Sequence, residues 1–363
     1  MKILIDIGHP GHVHLFNTVF KKLKQKGHVV LVAVKDIPIA KSLLQTYGMK
    51  YIEIGNKKDS LLAKGFSQLS YNWKFLNIVR KNRIDLGIGT SISLAHVSKI
   101  TKMKSIIFDD DNDEVQPLFT KFAHPFADYL LSPDVLKNKR NKKDTIYYSG
   151  YHELAYLHPN RFTPDKNVLK ELGIKENDTF FIMRFNVFKA HHDIGIHGLN
   201  LEQKQKLIEL LKPYGKIFIT TEREIEPELK KYQLSISPEK IHSLLYYATM
   251  FIGDSQTMTS EAAVLGTPAI RCNDFVGRIS YLDEEEHKYG LTYGFKPDQF
   301  DQMIVKITEL LNMPNLKQEW QIRRQKMLVD KIDVTAFMVW FVENYPQSIK
   351  ILKENPEYQL RFK

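Results

Sequence analysis

The sequence predicts an α/β chain with two doubly wound parallel sheets in tandem, each covered by helices and facing a central cleft. Three observations carry this. Apolar, β-branched strand runs alternate with helical segments through most of the chain. The alternation pauses once, in the polar stretch Lys137–Asp165 with Pro133, Pro159 and Pro164 in or beside it, and then restarts. A length of 363 residues suits two domains of ordinary size.

The elements follow in order. Ile3–Ile7 is an apolar strand, and His14–Lys26 a helix stopped by Gly27. Val29–Val34 is a β-branched strand, Pro38–Tyr47 a helix ending at Gly48, and Tyr51–Ile54 a strand. A helical region over Leu69–Lys81 precedes a strand at Leu86–Ile88. Ser93–Lys102 is helical, Ser105–Phe108 extended, Pro117–Phe126 helical and Tyr129–Leu131 extended. The polar stretch reads as the junction between domains. Beyond it come strand Thr179–Arg184, helix Leu201–Leu211, strand Lys216–Thr220, helix Pro238–Ala248 and strand Met250–Ile252. A polar turn, a helix of about ten residues stopped by Gly266 and Pro268, and a strand from Ala269 follow. Asp298–Leu311, Leu316–Val329 and the apolar Val334–Glu343 are the late helices, with a polar tail to Lys363. The division this implies is residues 1–160, residues 161–330, and a C-terminal segment over 331–363.

Composition excludes several classes. No apolar run approaches the ~18 residues of a membrane-spanning helix. Met1–Asp6 is too short and acidic for a secretory signal. The single cysteine, Cys272, excludes an internal disulfide framework and fits a reducing cytoplasm. The net charge of +10 comes mostly from dispersed lysine, denser at 137–143 and 323–326, without a nucleic-acid-binding motif. A solvated surface is the plain reading, nucleic acid is not an expected partner, and an anionic substrate or membrane surface would be favoured.

Ligands of doubly wound sheets lie beyond the carboxyl ends of the strands, so the residues after each strand are the site candidates. The turn Asp254, Ser255, Gln256 and Thr257 feeds a helix N-terminus, where unpaired N–H groups and the helix dipole favour an anion. Glu261, one turn on, borders the packed stripe with Met258 and Leu265, placed for ribose hydroxyls. Arg184 ends a buried-looking strand, and its fork suits a diphosphate, with Lys189 or His191 able to add to it. Thr220–Arg223 and Arg271–Arg278 end neighbouring strands. In the first half, Gly8, His9, Gly11, His12 and His14 form a second anion or acceptor loop with a histidine available as general base. Metal ligation there is disfavoured, because the histidines lack a fixed helical spacing and have no adjacent acid. Asp109 and Asp110 open an acidic run, Asp109–Glu114, and sit nearest their strand end as acid/base or hydroxyl-binding groups.

The pattern Gly253-Asp-Ser-x5-Glu261-Ala-x2-Leu265-Gly266-x-Pro268 resembles the nucleotide-binding signature of the GT-B superfamily. It looks closest to the non-hydrolysing UDP-N-acetylglucosamine 2-epimerases and to the N-acetylglucosaminyltransferase acting on the lipid-linked peptidoglycan precursor. Gly8-x-x-Gly11-His12 is similar to the Gly-Gly-His loop of that transferase. The whole chain also resembles an uncharacterised GT-B-like family of bacterial and archaeal proteins. The resemblance implies two Rossmann-like domains, the first for the acceptor and the second for the nucleotide sugar, with a C-terminal helix crossing back to the first. It implies a glycosyltransferase with a UDP-sugar donor and an envelope glycan or lipid-linked acceptor, working in the cytoplasm at the inner face of the membrane. It implies phosphates on Asp254–Thr257, ribose on Glu261, His12 as base, and neither cofactor nor metal. Asp-x-Asp at 109–111 invites comparison with the metal motif of GT-A enzymes, but the surrounding alternation describes a different fold. The alternatives are an epimerase, which would need two carboxylates facing the sugar, and a non-catalytic nucleotide-binding scaffold.

Overall fold

The structure is a computed structural model that describes residues 1–56, 61–142, 144–185, 198–221 and 225–363. The chain divides into two compact units, residues 1–161 with 331–363, and residues 162–330.

In the first unit, the described residues form one parallel sheet of seven strands: β1 (Lys2–Ile7), β2 (Val29–Asp36), β3 (Ile52–Asn56), β4 (Leu86–Gly89), β5 (Lys104–Phe108), β6 (Tyr129–Pro133) and β7 (Thr145–Tyr148). The order is β3-β2-β1-β4-β5-β6-β7, all parallel. The chain reverses its direction of travel across the sheet between β1 and β4. That is the topological switch point, where loops leave in opposite directions and open a crevice. The central strands read as unbroken apolar runs because helices cover both faces, so Ile3, Leu4, Ile5, Ile7, Ile88, Ile106 and Ile107 are buried.

Two features correct the sequence reading. Lys137–Asp165 is not a bare junction, because Thr145–Tyr148 within it is the edge strand β7. Four residues are too few for a periodic signal. The first helix begins at Pro10, not His14. Proline at the first helical position needs no N–H partner and presets φ, and His9 caps the end. Gly11, His12 and His14 are therefore helical residues.

The helix Val334–Glu343 packs on the helix Pro10–Gln25 of the same unit, and its Phe337 is buried against the rings of Tyr148 and Phe362. Asp333 caps it, accepting from the Ala336 N–H at 2.9 Å, and Arg161 holds the same carboxylate from Nε at 3.0 Å. Thr335 Oγ1 donates to the Ala155 carbonyl at 2.6 Å.

The second unit has a parallel sheet of β8 (Phe180–Arg184), β9 (Lys216–Thr220), β10 (Met250–Gly253), β11 (Ala269–Cys272) and β12 (Thr292–Phe295), in the order β12-β11-β10-β8-β9. Its switch point lies between β8 and β10. Strand β12 and the helix Ser280–His287 were absent from the sequence reading. Trp320 of the helix Leu316–Asp330 is fully buried and donates from Nε1 to the Leu291 carbonyl at 2.8 Å, fastening that helix just before β12. No helix among the described residues is long and apolar enough to cross a membrane.

Candidate functional sites

At the switch point of the second unit, β10 ends at Gly253 and the helix Gln256–Leu265 begins two residues later. Gly253 lies opposite Arg184 of β8, and a Cβ there would stand 2.1 Å from the Arg184 carbonyl oxygen, so only glycine fits. The Asp254 N–H donates to that same carbonyl at 3.1 Å. Ser255 is the N-cap, its hydroxyl accepting from the Met258 N–H at 3.4 Å. Asp254 and Ser255 are buried, whereas Gln256 and Thr257 are half-exposed at the first two helical positions. Their N–H groups have no intrahelical acceptor by the geometry of a helix start. The four sequence candidates therefore separate. Asp254 and Ser255 shape the turn, and Gln256 and Thr257 present it.

Glu261 is 5% exposed, with Oε1 2.9 Å from Nε2 of His242 on the helix Ile241–Tyr247. His242 is itself buried, with the Phe162 ring edge-on at 6.3 Å. The sequence reading missed His242, which precedes Glu261 by 19 residues with no local pattern linking them. Arg184 is half-exposed at the end of β8, with Nη1 3.4 Å from Thr220 Oγ1 at the end of β9. Lys189, His191, Glu222 and Arg223 lie outside the described residues. After β11, Asn273 Nδ2 donates to the Asp254 carbonyl at 2.8 Å and ties the two strand ends together. Arg271 is 1% exposed and turned toward Tyr281 and the acids of the helix Ser280–His287, with no hydrogen-bond partner for Nη1 among the described residues. Cys272 is buried, which pushes its thiol pKa up to about 12 and makes it unreactive at neutral pH.

At the switch point of the first unit, His12 reaches back from the first helical turn. Its Nδ1 accepts from the Gly8 N–H at 3.2 Å and lies 2.9 Å from Thr90 Oγ1, just after β4. Desolvation, then the charges of His9 and His152, hold the His12 pKa well below its usual value, with Asp110 opposing. His9 Nδ1 accepts from the Gly11 N–H at 3.1 Å. His14 does not join this group. It sits two helical positions on from His12, turned about 200° around the axis. There it is buried, hydrogen-bonded to Tyr47 OH at 3.0 Å and stacked on Tyr156 at 5.5 Å.

The acidic run folds inward. Asp109 is buried against His124 Nε2 at 2.8 Å and Arg140 Nη1 at 3.0 Å. The Arg140 side chain is fully enclosed and also holds Asp113 at 2.6 Å and the Asp109 carbonyl from Nη2 at 2.7 Å. Asp109, Asp113 and His124 stand close enough to ligate a metal. The guanidinium already neutralises both carboxylates, and this donor set fits an internal ion-pair cluster. Asp110, with a carboxylate oxygen within 4.8 Å of those of Asp109 and Asp111, has a different partner. Its side chain is 23% exposed, and Oδ2 lies 2.9 Å from Nδ1 of His152, another residue the sequence reading missed. Burial raises the Asp110 pKa, but the charge and hydrogen bond of His152 more than reverse this and leave it lowered. Asp111 goes the other way. Burial and then the charges of Asp110 and Asp109 push it up to about 7, with Gln116 donating to its carboxylate.

The Asp111 shift has a measurable consequence. A carboxyl whose folded pKa exceeds its unfolded value costs stability as pH rises from about 4 to 7. Asp111→Asn keeps an acceptor for Gln116 and removes the charge. It should stabilise the first unit by about 2 kcal/mol at pH 8, with the gain vanishing below about pH 4. Denaturant melts at the two pH values check this, and a gain independent of pH contradicts it.

The family described as Protein of unknown function (DUF354) matches residues 1–345. The chain belongs to this family. An uncharacterized protein of Methanocaldococcus jannaschii, MJ0665, is 24% identical over an alignment covering 79% of this DUF354 chain and 86% of that protein. Among solved structures, a UDP-GlcNAc 2-epimerase from Neisseria meningitidis bound to UDP-GlcNAc is similar at a TM-score of 0.68 and 12% identity, covering 98% of this chain and 99% of that one. The spinosyn forosaminyltransferase SpnP is similar at 0.66 and 14% identity, with 96% and 99% covered. A UDP-N-acetylglucosamine 2-epimerase-like protein from Listeria monocytogenes is similar at 0.64 and 11% identity, with 91% of each chain covered. The DUF354 chain therefore has a GT-B-like α/β fold.

Proposed function

We propose that this DUF354 protein is a glycosyltransferase that takes a sugar from a nucleoside diphosphate, UDP in the first instance. The observation that carries the reading is the switch point of the second unit. A half-exposed helix start at Gln256 and Thr257, the Arg184 fork two strand ends away in sequence but adjacent in the sheet, and a buried, braced carboxylate at Glu261 supply what a nucleoside diphosphate needs. The N–H groups and Arg184 would take the diphosphate and stabilise its charge as it leaves. Glu261 would take ribose hydroxyls, with His242 fixing its rotamer. The proposed acceptor is an envelope glycan or lipid-linked hydroxyl, handled by the first unit at the cytoplasmic face of a membrane. No step in this scheme uses a metal or cofactor.

An epimerase reading needs two carboxylates free to face the sugar. Asp109 is committed to His124 and Arg140, which leaves Asp110 with its own partner and favours transfer.

Glu261→Gln tests the ribose assignment while keeping the shape and a partner for His242. UDP affinity should fall about 10- to 100-fold, on the order of 1–3 kcal/mol. Calorimetry reads this, with a thermal melt to confirm folding. An unchanged affinity in a folded variant removes Glu261 from the site.

A further inference from the structure

We infer that the outer face of three helices in the first unit, Leu61–Asn82, Ile92–Lys99 and Pro117–Phe122, docks this protein on a lipid surface rich in anionic headgroups. This deepens the membrane-side acceptor of the transferase reading by naming the surface that makes the contact and the lipid charge it takes.

The face is continuous. Asn72 Nδ2 on the first helix lies 3.0 Å from His96 Nδ1 on the second. His96 Nε2 lies 2.8 Å from the Phe122 carbonyl of the third, and the His96 ring meets the Phe126 ring edge-on at 4.8 Å. Around this seam stand Leu69, Trp73, Ile100, Leu118, Phe122 and Phe126, each between 40% and 66% exposed. Helical spacing joins them to it. Leu69 and Trp73 form a stripe beside Asn72, Ile100 follows His96 by one turn, and Leu118 precedes Phe122 by one turn. These six are nearly half of the fourteen large apolar side chains that stand in solvent among the described residues. Single exposed apolar residues are ordinary, but a contiguous group rimmed by charge marks an interaction surface.

The rim selects the partner. Segments 68–82, 92–104 and 117–128 carry seven Lys or Arg and one acid, Asp128, against 52 and 42 in the whole chain. The Asp128 side chain is only 12% exposed and is held by Lys99 at 3.1 Å and Lys104 at 3.4 Å. Lys121 Nζ lies 5.8 Å from the Phe122 ring centre, so its stem follows the apolar surface and its ammonium reaches the rim. A second copy packed here about a two-fold axis would set this cationic rim against itself. An anionic bilayer offers the opposite charge, an apolar layer for the Leu, Ile and Phe side chains, and an interface suited to the amphipathic indole of Trp73. Ile100 and Phe126 precede β5 and β6, which puts this side of the patch at the amino edge of the sheet. His12 and Asp110 stand at the opposite, carboxyl edge.

The test is co-sedimentation of the full chain with vesicles of phosphatidylcholine, alone or with about 30% phosphatidylglycerol. The chain should bind the mixed vesicles, bind phosphatidylcholine alone far more weakly, and lose binding as salt rises and the Debye length contracts. Phe122→Ser with Phe126→Ser, and separately Lys102→Glu with Lys121→Glu, should each lower partition about tenfold or more. The charge pair is fully on the surface, so it keeps the test open if the apolar pair melts early. Brominated lipid should quench part of the tryptophan emission, and Trp73→Phe should remove that part, since Trp320 is fully buried. No binding to the mixed vesicles, or binding that both folded double variants retain, overturns the inference. A wild-type dimer that ignores vesicles and is split by these variants in sedimentation overturns it too, and makes the face an interface between copies. Failure of the wild type to bind UDP counts against the transferase reading, while the vesicles still decide the docking face.

Discussion

Arg140→Met should lower the stability of the first unit by about 3–5 kcal/mol at pH 7, among the largest effects of any single change in this chain. The guanidinium is fully enclosed and bridges Asp109 and Asp113, and it also donates to the Asp109 carbonyl and lies 3.2 Å from Ser132 Oγ. Methionine fills most of the volume but leaves two buried carboxylates facing each other, with His124 as their remaining basic neighbour. Urea melts followed in the first unit at pH 7 measure the deficit. An Arg140→Met protein with the wild-type midpoint at pH 7 would mean that the acidic run is solvated after all.

Gly253→Ala should cost the second unit about 3 kcal/mol or more and remove the proposed nucleotide binding with it. The cause is steric. The new Cβ would stand 2.1 Å from the Arg184 carbonyl oxygen and 3.0 Å from the Arg184 backbone nitrogen and carbonyl carbon. Backbone atoms in a central strand pair cannot step aside as a flexible side chain can. β8 and β10 must part at their carboxyl edge, which is where the helix start and Arg184 meet. Two-phase melts separate the outcomes. The transition of the second unit should move and that of the first should not. A variant that melts like wild type and binds UDP normally contradicts this account of the turn.

The fold was largely legible because its signals are redundant. β1, β2, β8 and β10 are apolar runs bounded by glycine, proline or polar turns, and the helix Leu201–Leu211 carries its own capping box at Asn200 and Gln203. The misses were short or weakly patterned. β7 and β12 have four residues each, and the helix Ser280–His287 is rich in acids. The start at Pro10 carried a readable signal, proline at the first helical position, which the two glycines around it obscured.

The two candidate sites were legible at one level only. The strand-end rule picks out His12 and Asp110 in the first unit and Arg184, Gln256, Thr257 and Glu261 in the second, because the carboxyl edge follows from topology. Their partners did not follow. His152, Arg140 and Thr90 in the first unit, and His242 in the second, come from distant segments of their own unit, and no local spacing links His152 to Asp110 or His242 to Glu261. Arg140 left a trace, since an acidic run at 109–114 and a basic run at 137–143 are natural counter-charges on neighbouring strand ends. Within that run, Asp109 and Asp113 prove to be internal ion-pairing residues.

The measurement that tests the central claim most directly is calorimetric titration of the wild-type chain with UDP, GDP, CMP and dTDP, repeated on Arg184→Ala and Glu261→Gln. The account predicts saturable binding led by UDP, weakened in both variants, with each variant melting cooperatively. Folded wild-type protein that binds none of the four would contradict the assignment of the second unit's switch point as a nucleotide site.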